Sequence, residues 1–441
     1  MHVDSLIVGG GLAGTTVAAY LLERRKEFTL IESSSRLGGK VETLLTDQAC
    51  FEFGPNSFTN QSDEILVLLD KLGLKEEILS AAPCAKNRYI LKEGRLARLP
   101  GKPQEMLTTQ ALSLGGRLRF FLEPFYVPKR KKEEESIQDF FVRHFGREVA
   151  DCFADPFVSG IYAGDASQLS LAEAMPTMAA AEAQCNSLIR YLISQRKTAK
   201  ASPESYELKR GLESLFHRAA ERIGKERLHL SEETMEIVAD GGKMRAITTR
   251  GDYEAGTLYL TVPSYVAASL LKRGGFQDLS RTLSRIDYAP VVTVHLRLPR
   301  SEKYPFDGFG VLLPSMEKRR ILGVLWNSSV FPSLFADKDH HYLTVYAGGV
   351  RNRQLVEADE KVIRSTVSEE VKDLFSLVAD PEVLHLRRHL RAIPQYVLGY
   401  GKILKSIRDS LSRVPSLKLA GNYLGGVSMP KTVAHAATLI Y

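Results

Sequence analysis

The chain has 441 residues, 44% of them apolar and 25% charged, with a net charge of +7. That length predicts two or three domains with ample core, and the composition excludes a disordered or fibrous chain. The modest positive balance suits an anionic partner, either an acidic substrate or a phospholipid surface. No aromatic-basic RNA signature or helix-turn-helix pattern appears, so nucleic acid is not expected.

The first forty residues read as strand, glycine turn, helix, second strand and acid. A β-prone run at 6–8 leads into Gly9, Gly10 and Gly11, then Leu12, Ala13 and Gly14, and a helix-compatible run from Thr16 to Arg25. The run 28–31 ends at Glu32, followed by Ser33. Gly9 lets the strand turn sharply, Gly11 leaves room for a pyrophosphate, and Gly14 lets helix and strand approach. The helix N-terminus offers unpaired N–H groups to phosphates, and Glu32 can accept from both ribose hydroxyls. A second glycine turn follows at once, with Arg36, Gly38, Gly39 and Lys40. Flanking cations beside it suit a long cofactor lying extended, so FAD is favoured over NAD. Residues 5–22 are uncharged, but Asp4 precedes them, no Lys or Arg leads them, and four glycines and two threonines interrupt them. Neither a leader nor a membrane span is expected there, and the protein is expected in the cytoplasm.

Next, Gly54, Pro55, Asn56 and Ser57 form a glycine-proline turn able to bring backbone close to a flat ring. A helix is expected over 62–72. Residues 88–99 read as a hairpin, in which Arg88 looks on pattern alone like any surface arginine. From about Gln104 to Ser202 the chain looks helical, which suggests an inserted domain. Within it, Arg117, Arg119, Lys129, Arg130, Lys131 and Lys132 alternate with Phe120, Phe121, Phe125 and Tyr126. That mixture suits a peripheral membrane contact or, equally, a solvated helix end, since Glu133–Glu135 follow. Gly160, Gly164 and Asp165 lie in a turn-rich run whose glycines suggest backbone near a ligand or a plain interhelical turn.

From 208 the character returns to α/β, with a helix at 212–223, short strands at 227–230, 234–238 and 244–249, and a run at 257–262. Several β-prone runs between 286 and 390 suggest a second sheet, a floor for a substrate cavity. His385 and His389 would share a face if helical, but no third ligand accompanies them and no metal is expected. Cys50, Cys84, Cys152 and Cys185 are widely spaced and read as reduced thiols. The last informative stretch is a strand at 417–420, then Gly421, Asn422, Gly425, Gly426, Val427 and Ser428, then a helix. Its positive end beside a flavin's pyrimidine edge would stabilise the reduced ring.

These residues resemble the protoporphyrinogen oxidases of the flavin amine-oxidase superfamily. The superfamily likeness rests on the first forty residues, TVPSYVAASLL and the final AGN–GGV segment. The narrower one rests on ESSSRLGGK, FEFGPNSF, NRY, GIYAGDASQLS, GFGVLLPS, LGVLWNSSVFP and AIPQY. The resemblance implies an α/β fold: a Rossmann-like FAD-binding domain at 1–80, 206–285 and 391–441, a mixed-sheet substrate domain at 81–103 and 286–390, and an inserted helical domain at 104–205. It implies FAD held by Gly9 to Gly14, Glu32, Ser33, Arg36, Gly39, Lys40, Gly54 to Ser57, Thr234, Gly421, Asn422, Gly426, Val427 and Ser428. Arg88 would anchor a propionate, Phe309, Leu312 and Tyr346 would line the macrocycle pocket, and Gly164 would bring backbone near the reactive ring. At Thr234 the family typically has valine, and Tyr400-Gly401 stands where Gly-His usually follows AIPQY. The implied reaction is six-electron oxidation of protoporphyrinogen IX with dioxygen as acceptor. Coproporphyrinogen III oxidation, an amine or carotenoid oxidoreductase, and a flavin-binding partner protein without turnover are the alternatives. Peripheral attachment to the inner face of the cell membrane and a homodimer are compatible with this reading.

Overall fold

A computed structural model describes residues 1–128, 134–195, 204–300 and 306–440. The chain divides into two units, the first comprising 1–80, 203–287 and 401–441, the second 81–202 and 288–400.

In the first unit, strands Leu228–His229, Phe28–Ile31, His2–Val8 and Gly251–Leu260 lie side by side, all parallel. On its far edge, Gly251–Leu260 pairs antiparallel with Lys243–Thr248 along its first half and parallel with Leu417–Leu419 along its second. Thr234–Asp240 completes the antiparallel meander. The parallel strands read as continuous apolar runs because both faces are covered; Leu6, Ile7, Leu30, Leu258 and Leu260 are fully buried. Helices Leu12–Glu23, Asp63–Lys71, Ser214–Ile223 and Met429–Thr438 supply Val17, Leu68, Phe216 and Val433 to one core. Shared strand direction has a functional result. The turns after Val8, Ile31 and Leu419 all emerge at one edge of the sheet, where ligands of open α/β sheets bind.

The second unit is built on a sheet in the order Glu382–Pro394, Tyr288–Pro299, His340–Gly348, Ile321–Leu325, Gly310–Leu312, Arg88–Lys92, Arg95–Arg98. One face buries Val292, Val294, Val311, Val324 and Val345 against Ile363, Val367 and Val371 of helix Glu360–Leu374. The opposite face therefore carries the alternate residues. Register places Leu312 opposite Gly323, Gly323 opposite Tyr346, and Tyr346 opposite Thr293, one rung on that second face.

Helices Leu114–Leu122, Ile137–Phe145, Asp155–Tyr162, Pro176–Cys185 and Leu188–Ser194 belong to this unit. They are tied by a buried ionic network: Arg143 bonds Glu135 through Nε at 2.8 Å and Nη2 at 2.6 Å, and Nη1 reaches Glu182 at 2.7 Å. His144 stands between Glu123 at 2.7 Å and Glu182 at 3.2 Å. Removing one partner would leave a buried charge uncompensated, so the network constrains the helices strongly.

Several expectations change. The helical stretch is grouped with the substrate sheet instead of standing as a unit of its own. The boundary expected at 390 falls after Tyr400, because Glu382–Pro394 pairs along most of Tyr288–Pro299. His385 and His389, which would share a face if helical, lie in that strand. Gly160 is inside helix Asp155–Tyr162, where a Cβ would come 2.7 Å from Leu312 Cδ2, so its role is close packing.

Candidate functional site

In the first unit, each glycine of the first turn has its own reason. Gly9 sits at φ +105°, a conformation that side chains rarely adopt, and its N–H donates to the Ile31 carbonyl at 2.8 Å. A Cβ on Gly14 would collide with the Gly9 carbonyl oxygen, and one on Gly10 with Leu37. Gly11 differs: a Cβ there would meet nothing within 4 Å. It caps helix Leu12–Glu23 without a side-chain hydrogen bond, and no acid lies in the first turn. An open space in front of uncapped N–H groups, beyond Leu12 and Ala13, is what a phosphate requires.

Glu32 is buried at the tip of its strand. Its Oε2 accepts from Gly10 N–H at 2.6 Å, and its Oε1 accepts from Ser34 N–H at 2.8 Å and Ser33 Oγ at 3.2 Å. A carboxylate has about four acceptor positions, so capacity for ribose hydroxyls is left. Ser33 thereby orients the acid.

Arg36 has a different task from the phosphate contact expected of it. Its Nη1 donates to Leu37 O, Val41 O and Glu213 at 3.0 Å each, and Nη2 to Gly39 O at 3.1 Å. The guanidinium is consumed in holding the second glycine turn. Lys40 follows it, and burial lowers its amine to about 8. Gly39 takes φ +57°, its Cβ position 3.5 Å from Gly11 Cα, so the two turns touch. Gly54, ahead of Pro55, Asn56 and Ser57, has no room for a Cβ because the Lys40 carbonyl oxygen occupies it. Thr234 begins its strand with a buried Oγ1 that makes no hydrogen bond, an environment in which valine would serve as well.

At the C-terminal end, Gly421, Asn422, Gly426 (φ +120°) and Val427 lead to Ser428, which caps helix Met429–Thr438 by accepting from Lys431 N–H at 3.4 Å. No acid lies in its first turn. The edge thus offers two glycine-preceded helix N-termini and one oriented carboxylate, a donor set that fits FAD: N–H groups for phosphates, Glu32 for ribose, and a positive helix end for a ring that gains negative charge.

In the second unit, Arg88 opens its strand opposite Gly310. Its Cζ lies 5.0 Å from the centre of the Phe309 ring. The side chain is accessible to water yet closely surrounded, and desolvation lowers its pKa. Among the described residues it has no carboxylate partner. Leu312 and Tyr346 lie on the rung described above, half-buried. Gly164 is buried, beside the left-handed Ala163 at φ +47°. A Cβ on Gly164 would lie 2.6 Å from Gln395 Oε1. Gln395 and Ala163 were missed in the sequence; the AIPQY motif was the available signal for the first, while nothing local marks an alanine that will adopt positive φ. Among the described residues no group of three or more metal-ligating side chains occurs.

A sequence profile of the family described as flavin containing amine oxidoreductase matches residues 12–438. The chain is 28% identical over 465 residues to Protoporphyrinogen oxidase 2, chloroplastic/mitochondrial, of Arabidopsis thaliana, covering 97% of this chain and 91% of that one. It is 26% identical to Coproporphyrinogen III oxidase of Bacillus subtilis, covering 97% and 95%. A crystal structure from Exiguobacterium sp. 255-15, provisionally named a protoporphyrinogen oxidase, superposes with a TM-score of 0.85 at 25% identity over 99% of this chain and 97% of that one. With the two-turn FAD edge on one unit and a mixed sheet on the other, the chain belongs to the flavin-containing amine oxidoreductases, in the protoporphyrinogen oxidase branch, and is an FAD-dependent oxidoreductase of porphyrin biosynthesis.

Proposed function

We propose that the chain oxidises protoporphyrinogen IX to protoporphyrin IX, removing six electrons in three rounds with dioxygen as final acceptor. The observation that carries this reading is Arg88: a guanidinium open to water and without a carboxylate partner among the described residues, 5.0 Å from the centre of the Phe309 ring and in the same sheet as Leu312 and Tyr346. A cationic arm beside an apolar wall suits a macrocycle carrying propionates. Arg88 binds one propionate by charge-assisted hydrogen bonds. Phe309, Leu312 and Tyr346 orient the rings and exclude water, and the Gly164 backbone faces the reacting carbon. FAD, when bound, would supply a two-electron acceptor for hydride from a methylene bridge, with loss of a pyrrole N–H proton in each round. Rate enhancement then comes from positioning.

The likeness to the Bacillus subtilis relative favours coproporphyrinogen III as the second reading. Formation of the Soret band from each porphyrinogen in air, with hydrogen peroxide measured alongside, tests both. Oxidation of neither would overturn the assignment.

We also propose peripheral attachment to an anionic membrane surface. Leu114, Leu118 and Leu122 form an exposed ridge on one helix, continued by Phe125 and Tyr126. Arg117 and Arg119 are turned onto backbone carbonyls, so the ridge contributes apolar area more than charge. Lys129–Lys132 lie outside the described residues. Among those described, no helix is long and apolar enough to cross a membrane.

A further inference from the structure

The turn that carries Gly164 is held more tightly than a helix ending needs. Helix Asp155–Tyr162 ends on Ala163, a non-glycine residue at φ +47°. Left-handed geometry at such a residue is unfavourable and persists only where the surroundings impose it. Here they do. Gln395, only 3% exposed, donates from Nε2 to the Tyr162 carbonyl at 2.8 Å and to the Ile393 carbonyl at 3.0 Å. Val350 N–H donates to the Ala163 carbonyl at 2.9 Å, and a Cβ on Gly349 would lie 2.7 Å from that same oxygen.

The carbonyls of residues 162 and 163 are therefore both engaged. The polar backbone atoms of the next residue are not: among the described residues neither the N–H nor the C=O of Gly164 makes a hydrogen bond, although Gly164 is buried. Buried backbone groups are almost always paired, so a buried, rigidly aimed and unpaired one points to a partner that is not part of the fold. We infer that Gln395 is a positioning residue: by clamping the Tyr162–Gly164 turn it aims the Gly164 peptide group at the reacting porphyrinogen. This rests on the porphyrinogen reading above. The Gly164 side of the turn shows the same fit, since Gln395 Oε1 fills the place a Cβ would need, 2.6 Å away.

The test uses the FAD-loaded enzyme in anaerobic rapid mixing, reading the limiting rate of flavin bleaching and the apparent Kd for the better porphyrinogen. Gln395→Leu keeps the volume and removes both donated bonds. It should lower the limiting rate at least tenfold while changing Kd less than threefold and leaving FAD content at the wild-type level. Gln395→Glu, which lacks the donor, should behave alike. Gly164→Ala should also be slow, and Gly164→Ala with Gln395→Ala should be faster than Gly164→Ala alone, because the shorter side chain makes room for the methyl. Amide exchange at 161–166 in the resting enzyme should rise in Gln395→Leu. An unchanged limiting rate, or losses of rate, Kd and FAD content in parallel, would overturn the positioning role. Wild-type enzyme that bleaches with neither porphyrinogen defeats the function reading and the catalytic part of this inference. Exchange at 161–166 that is unaltered in Gln395→Leu defeats the clamp itself.

Discussion

A methyl group added at Gly14 would collide with the Gly9 carbonyl oxygen, whereas one added at Gly11 would meet no atom within 4 Å. The two substitutions therefore separate folding from binding. Gly14→Ala should lower the thermal midpoint of the FAD-free protein. Gly11→Ala should leave that midpoint near wild type and still weaken FAD retention after dialysis, since only the phosphate space is filled. Glu32→Ala should lower both, because it removes the ribose acceptor and leaves the Gly10 and Ser34 N–H groups unpaired. Arg88→Ala removes one charged hydrogen-bonding group worth about 1.5–3 kcal/mol. It should raise the KM for porphyrinogen roughly 10- to 100-fold with the flavin absorbance unchanged. Equal loss of flavin would show that Arg88 holds the fold and not the substrate.

At the scale of elements, strand Cys50–Glu52 carries an acid that the fold keeps neutral. Glu52 Oε1 accepts from Thr43 Oγ1 at 2.7 Å and Leu212 N–H at 2.8 Å, but Oε2 is buried without a partner among the described residues, and Glu207 is buried nearby. Burial raises the Glu52 carboxyl from its ordinary 4.5 to about 8, and burial with the neighbouring Glu52 raises Glu207 as well. Folding thus takes up protons between those values. This contribution is complete at pH below 4.5 and is lost as pH rises through 8. Glu52→Gln should flatten the fall in thermal midpoint between about pH 5 and 8; an unaltered slope would mean the pair does not hold its proton. The turns of this unit were legible in the sequence because glycine spacing and strand-end acids are local signals. Arg36 was not, since its carboxylate partner Glu213 lies 177 positions away. The positive φ of Ala163 was hidden for the same reason: its geometry is imposed by Gln395 and Val350, which lie just past the ends of strands distant in sequence. The strand that carries His385 and His389 is set by the ladder with Tyr288–Pro299, which local periodicity cannot show.

For the molecule as a whole, the residues expected to hold FAD lie in the first unit, and those expected to meet substrate, Arg88, Gly164, Phe309, Leu312 and Tyr346, lie in the second. The domain boundary missed by ten residues, because a β-prone run does not announce which sheet it will join. The exposed Leu114–Leu122 ridge makes a prediction at this scale. Leu114→Glu with Phe125→Glu should abolish co-flotation with anionic phospholipid vesicles while turnover in detergent is retained; flotation that persists would place the contact elsewhere.

The pairing of Leu417–Leu419 with Gly251–Leu260 has a kinetic consequence. The glycine turn that starts the FAD edge leaves the ribosome first, and the helix that completes it, Met429–Thr438, leaves about four hundred residues later. At a synthesis rate of about 5–20 residues per second, the nascent edge waits tens of seconds for its last wall. Cofactor capture on a complete edge must therefore wait for that helix, and flavin scarcity should show first as a pool of newly made chains open to proteolysis at that unfinished edge.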